Sequence, residues 1–277
     1  MTLASPIDLI ARREDRDDLP AVPAFNVIGL EHVEAFVDAA DSLKVPLILQ
    51  VSQNATRFRG GIRPFAAAIV QLAAAASVPI AVQLDHADDV DLVREAADAG
   101  VTSVMFDAST LEFEANVEQT RLVAAEMQAQ GIWVEGELGE IGGKDGAHAF
   151  GVRTDPGQAA AFVERTGVDG LAVAVGSSHA MKTQEAVLDL ELIAELRDAV
   201  PVPLVLHGAS GVSDRRVAEA CRAGVRKVNF GTRFNGAFTA ALRDALTEYD
   251  GVDPRVYLRR GRDALAADAR HVLSLFA

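Results

Sequence analysis

At 277 residues, with 49% hydrophobic and 24% charged side chains, the chain has the composition of a globular protein long enough to bury a substantial core. Its formal net charge of -14 argues against nucleic acid and anionic membrane surfaces as partners, since both need clustered Lys and Arg. No stretch approaches the roughly 20 uninterrupted apolar residues of a membrane-spanning helix. The acid-rich N-terminus does not read as a secretory signal, and the single cysteine, Cys221, allows no internal disulfide, so a cytoplasmic location is expected.

Taken in chain order, short apolar runs bounded by Pro, Gly or Asp alternate with alanine-rich segments of helical period. The runs predict strands at 21–27, 46–51, 79–86, 103–108, 133–139, 170–176, 203–208 and 227–232. Between them, stretches such as "EHVEAFVDAADSLK", "VDLVREAADAG", "FEANVEQTRLVAAEMQAQG", "PGQAAAFVERTG" and "LDLELIAELRDAV" predict helices, several closing on Gly. Cys221 lies in the amphipathic "VAEACRAG" and is expected in the core. Eight βα units without a low-complexity linker predict a single α/β domain over 1–277, a (β/α)8 TIM barrel with a C-terminal helical extension over about 249–277. A doubly wound sheet is the alternative. Two segments exceed a minimal connection. The glycine-rich 139–156 suggests a mobile loop over an active site, and the tail carries Arg255, Arg259, Arg260 and Arg262 on what reads as a solvated helix.

Barrel strands are buried, so polar residues at their ends need a reason. Asn26 ends the first predicted strand, Ser52 follows the second, Asp85 and His86 end the third, and Asp107 the fourth. Glu135 and Glu137 lie in the fifth, His179 closes the sixth, His207 ends the seventh, and Asn229 and Thr232 end the eighth. Barrel enzymes build their sites at this C-terminal face. His86, His179 and His207 can therefore converge across the mouth, and three neutral imidazoles with an open fourth position describe a catalytic zinc site. Asp107 and Glu137 are candidates for further metal ligands or for orienting the imidazoles. His32, His148 and His271 fall in helices or loops and are expected in surface or capping roles.

Behind His207, "GAS" supplies Gly208 and Ser210, and "NFGT" supplies Asn229 and Thr232. Loops after strands seven and eight of a barrel commonly cradle a phosphate with backbone N–H groups. Lys182, three residues beyond His179, adds a cation. A metal and a phosphate at one mouth suit chemistry on a phosphorylated hydroxy-ketone. Zinc would polarise the carbonyl and stabilise an enediolate, and Asp85 would move a proton on a substrate hydroxyl. Carbon–carbon cleavage and isomerisation both fit.

These motifs, "AVPAFNV", "LDHADD", "VEGELGEIGG", "FVERTGVDGLAVAVG", "PLVLHGASG", "GVRKVNFGT" and "DPRVYL", occur in the order found in class II, metal-dependent ketose-bisphosphate aldolases, which the chain resembles over nearly its whole length. The resemblance implies zinc on His86, His179 and His207, with Asp85 shuttling the proton on the hydroxyl at the bond being broken. It implies a second divalent or monovalent cation near Asp107 and Glu137. Dihydroxyacetone phosphate would be held by Gly208, Ser210, Asn229 and Thr232, with Asn26 and Ser52 nearby. Arg255 matches an arginine that reaches a neighbouring subunit's distal phosphate, which implies a homo-oligomer, dimer or tetramer. The implied lyase reaction splits a ketose 1-phosphate or 1,6-bisphosphate into dihydroxyacetone phosphate and an aldehyde.

Three positions depart from the family's pattern. His179 is followed by Ala180 where glycine is usual, and the loop's acidic pair reads Lys144-Asp145, leaving Asp145 as the candidate base for enediolate formation. Gly231 stands where some fructose-bisphosphate enzymes carry an aspartate. The alternatives are a family aldolase acting on a deoxy, keto-acid or sulfonated sugar phosphate, and a non-catalytic member serving as a subunit or regulatory partner. A Schiff-base aldolase needs a desolvated lysine. Of Lys44, Lys144, Lys182 and Lys227, none is expected in the middle of a strand.

Overall fold

The computed structural model describes residues 3–14, 19–139, 153–178 and 183–277. Eight parallel strands, β1 (Val22–Asn26), β2 (Leu47–Ser52), β3 (Ile80–Ala87), β4 (Ser103–Phe106), β5 (Trp133–Leu138), β6 (Gly170–Val173), β7 (Leu204–Leu206) and β8 (Val225–Phe230), pair in sequence order. β8 pairs in turn with β1, which closes the barrel. The helices around and beneath it are α1 (Pro6–Glu14), α2 (Leu30–Leu43), α3 (Gln53–Arg59), α4 (Arg63–Ala75), α5 (Val90–Asp98), α6 (Phe113–Gln128), α7 (Pro156–Thr166), α8 (Leu190–Ala199), α9 (Asp214–Ala223), α10 (Thr232–Glu248) and α11 (Pro254–Ser274). The TIM-barrel expectation is met, and each expected strand has its counterpart.

Local chemistry sets the helix ends. Asp89, Asp155, Asp189 and Asp253 cap α5, α7, α8 and α11, each carboxylate accepting a backbone N–H of the first turn. Pro156 and Pro254 occupy first helical positions, where a missing N–H costs nothing. α7 stops at Gly167 in the left-handed conformation.

Strand alternation divides the core in two. Leu47, Leu49 and Val51 of β2 face outward into the large apolar layer beneath the helices, which also takes in Phe25, Phe36, Phe162 and Phe234. Ile48 of β2 points inward with Val22 and Ala24 of β1 and Ala81 of β3, and these pack on Leu9 and Ile10 of α1. α1 thus plugs the N-terminal end of the barrel, a role its sequence does not announce. Each fully buried Leu or Ile contributes about 1.5–3 kcal/mol. The plug is tied down by buried Arg13, whose guanidinium donates to the carbonyls of Leu19 and Phe276.

The C-terminal helix α11 packs on α2 and α10 and buries Leu265, Ala269, Val272 and Leu273, with Phe276 buried just beyond its end. Its arginines are solvated as expected: Arg262 pairs with Glu34 and Arg260 with Glu248 at the surface. Cys221 is fully buried, and desolvation pushes its thiol up to about 12. Two expectations need correction. His32 is buried on α2 against Phe36 and Phe238 rather than exposed or capping. β8 begins at Val225, two residues earlier than expected, which puts Lys227 inside the strand with no solvent exposure.

Candidate metal and active site

Along β2 the inward positions Ile48, Gln50 and Ser52 run from apolar to polar toward the C-terminal end, and β1 repeats the pattern with Val22, Ala24 and Asn26. The same change on β3 places Gln83 and then Asp85 at the mouth. Asp85 is 3% exposed. Its Oδ2 accepts from Asn26 Nδ2 at 2.8 Å and its Oδ1 from Gln50 Nε2 at 3.2 Å, so two amides from neighbouring strands fix the carboxylate.

In a regular strand, His86 would face away from Asp85. A bulge prevents this: the step from Leu84 to Ala87 on β3 is paired with the shorter step from Val104 to Phe106 on β4. His86 takes the extra position with φ of 48°, a left-handed conformation that costs a non-glycine residue about 1–3 kcal/mol. Its ring thereby turns toward the same mouth. It lies with its centroid 4.6 Å from that of His207, which follows β7 and is 1% exposed.

Donor atoms of Asp85, His86 and His207 all lie within 4.8 Å of one another, and those of His86, Asp107 and Glu137 form a second such set. His86 Nδ1 is 2.8 Å from Asp107 Oδ2 and 3.5 Å from Glu137 Oε2. Ser109, just past β4, donates its hydroxyl to Asp107 Oδ1 at 2.7 Å or to Glu137 Oε1 at 3.2 Å, linking the two carboxylates. Imidazoles and carboxylates at this spacing have the chemistry to hold a divalent cation.

Gly208 shows why the strand ends in glycine: its φ is 69°, and a Cβ there would come within 2.6 Å of the Ser178 carbonyl oxygen. The turn after it carries Ser210, whose Oγ accepts the backbone N–H groups of Gly231 at 3.1 Å and Arg233 at 3.2 Å. The loops after β7 and β8 are thus tied together, with Thr232 between the two donors at the start of α10. Arg233 in turn is held by Asp268 of α11 at 2.7 Å. Asn229 Nδ2 lies 3.0 Å from His207 Nε2 and 3.2 Å from Nδ1.

The structure therefore brings Asn26, Asp85, His86, Asp107, Glu137, His207, Gly208, Ser210, Asn229 and Thr232 to one end of the barrel. Ser52 is there as well, but its Oγ caps α3 by accepting from Ala55 N at 3.1 Å. Arg255 is not drawn in: it is 84% exposed at the start of α11 and pairs with Asp253 at 2.7 Å. His179, Lys182 and Asp145, with Lys144, His148 and Ala180, lie outside the described residues. Sequence reasoning passed over Gln50, Gln83 and Ser109. The signal for the first two was a glutamine inside an apolar strand run, "LILQV" and "IAVQL".

A closed barrel gathers histidines and carboxylates at its C-terminal mouth, at a spacing that could hold a metal ion. Residues 15–277 match the model of the class-II fructose-bisphosphate aldolases, and the chain belongs to that family. It is similar to the YdjI aldolase from Escherichia coli K12, with 34% identity over 99% of this chain and 97% of that one and a TM-score of 0.87. A putative fructose-1,6-bisphosphate aldolase from Coccidioides immitis is 28% identical, covers 97% of this chain and 94% of its own, and has the same TM-score of 0.87. The fructose-bisphosphate aldolase of Campylobacter jejuni, at 22% identity over 99% of this chain and 95% of its own and a TM-score of 0.83, shares the fold. The chain is an aldolase, and no helix among its described residues is long and apolar enough to cross a membrane.

Proposed function

We propose that the chain catalyses reversible cleavage of a ketose 1-phosphate or 1,6-bisphosphate into dihydroxyacetone phosphate and an aldehyde, with zinc held by His86, His179 and His207. The observation that carries this reading is the meeting of Asp85, His86 and His207 donor atoms within 4.8 Å at the barrel mouth. Neutral imidazoles suit zinc, and the oxygen-rich set of Asp107 and Glu137 beside His86 suits a second cation. A bound zinc ion supplies Lewis-acid polarisation of the substrate carbonyl.

The protein's own groups account for the rest. Asp85, its carboxylate oriented by Asn26 and Gln50, takes the proton from the hydroxyl at the carbon beyond the bond that breaks, and returns it in the condensation direction. Asp145 removes and restores the proton on the dihydroxyacetone phosphate carbon. Gly208, Ser210, Asn229 and Thr232 line the cradle for the phosphate, with Lys182 as its cation, and Ser52 adjoins the substrate. Arg255 points to solvent in one protomer, which suits a contact with a second protomer's substrate in a homo-oligomer.

The test is release of dihydroxyacetone phosphate from fructose and tagatose bisphosphates, and from deoxy, keto-acid and sulfonated analogues, before and after chelation and zinc restoration. Cleavage that chelation stops and zinc restores is the expected result. Cleavage that survives chelation and is blocked by borohydride in the presence of substrate would instead make this a Schiff-base aldolase with a lysine nucleophile. No cleavage of any substrate would favour the non-catalytic subunit.

A further inference from the structure

One layer below the mouth, the barrel interior holds an ion pair with no contact to solvent. Lys227 of β8 and Glu135 of β5 are both 0% exposed, and Lys227 Nζ donates to Glu135 Oε2 at 2.8 Å from across the barrel. Gln83 Nε2 donates to the same oxygen at 3.1 Å. The other oxygen, Glu135 Oε1, lies 2.8 Å from His207 Nε2.

Such a pair is weak support for a fold, because removing two charges from water roughly cancels their attraction, and an apolar pair of similar volume often does as well. Its connection to His207 suggests a different use. A carboxylate held by an ammonium is an acceptor only, so the hydrogen between Glu135 and His207 belongs to Nε2. A ring nitrogen that bears a hydrogen cannot ligate a metal, so Nδ1, which keeps its lone pair, is the atom left to ligate one. Glu135 with Lys227 behind it thus selects both the ligating atom of His207 and the plane of its ring.

We propose that Lys227 is a positioning residue for the metal site: through Glu135 it fixes His207 as the Nε2–H tautomer with Nδ1 turned to the metal. The inference rests on the metal-site reading above and deepens it. Outer partners of this kind typically change metal affinity by about 10–100-fold.

The experiment measures zinc affinity of the full chain by chelator competition, together with histidine 15N shifts of the zinc-loaded protein. Wild type is expected to show His207 with its proton on Nε2, and a proton on Nδ1 would overturn the proposal. Lys227→Met is expected to weaken zinc by about 10-fold or more, and unchanged affinity would overturn it. Removing one partner of a buried pair can prevent folding, so the double variant Lys227→Met/Glu135→Leu, which replaces both charges with apolar groups, provides the second reading. It is expected to fold and still bind zinc at least about 10-fold more weakly. A folded double variant with wild-type affinity would mean the pair only fills space. If wild type itself binds no zinc, it is the metal-site reading that fails.

Discussion

The two halves of the barrel interior are built from the same strands and solve opposite problems. At the N-terminal end, Val22, Ala24, Ile48 and Ala81 close on Leu9 and Ile10 of α1 in an apolar plug. Toward the C-terminal end the same inward-facing rows continue as Asn26, Gln50, Gln83 and Asp85, and meet Glu135, Glu137, Lys227 and Asn229 from the far wall. The plug gains free energy from burial, whereas the polar half must satisfy every group it buries and gains little net stability from doing so. Stability and chemistry are therefore assigned to opposite ends, and substitutions at the two ends should fail in different ways.

The largest separation is expected at His207. His207→Ala should abolish zinc binding and cleavage together, read by metal analysis and dihydroxyacetone phosphate release, while the fold survives. Asp85→Ala should lower cleavage by about 100-fold or more and leave zinc content unchanged. This variant also sharpens the assignment, because the Asp85 carboxylate belongs to the same donor set as His86 and His207. Zinc lost along with activity would make Asp85 a ligand rather than the group that moves the proton. In the plug the expected failure is reversed. Ile48→Ala should cost about 2–5 kcal/mol in a urea melt and leave kcat per folded molecule untouched.

The smallest effect lies outside the barrel, at His32. Burial lowers its pKa below 6.5, against an upward pull from Asn235 and Glu31, with Arg59 adding to the lowering. As pH falls through 6.5 the unfolded chain takes up a proton that the native ring refuses, so stability declines until the folded pKa is reached and then levels off. Denaturation midpoints measured across this range should fall less steeply for His32→Phe than for wild type.

The fold is legible in the sequence because buried parallel strands are written as mostly apolar runs, as in "PLILQV" followed later by "PIAVQLDH", and the intervening helices keep a clear period. The mouth is legible for a related reason: a histidine or carboxylate at the end of such a run has no place in a simple core. What stays hidden depends on backbone detail or on distant partners. Nothing local signals that His86 sits in a bulge with a left-handed backbone, yet that geometry lets two adjacent residues face one site. Lys227 reads as the start of a strand, and only barrel closure reveals that it spans the interior to a glutamate on β5. α1 goes unread within the acid-rich N-terminus because its partners, Ile48 and Ala81, come from strands far along the chain.

The most direct test of the central claim is anomalous diffraction at the zinc absorption edge from crystals of the zinc-loaded protein. The expected result is a peak at the barrel mouth within bonding distance of His86 and His207. A strong peak elsewhere, with no density between those two imidazoles, would contradict the account of how this barrel carries out its chemistry.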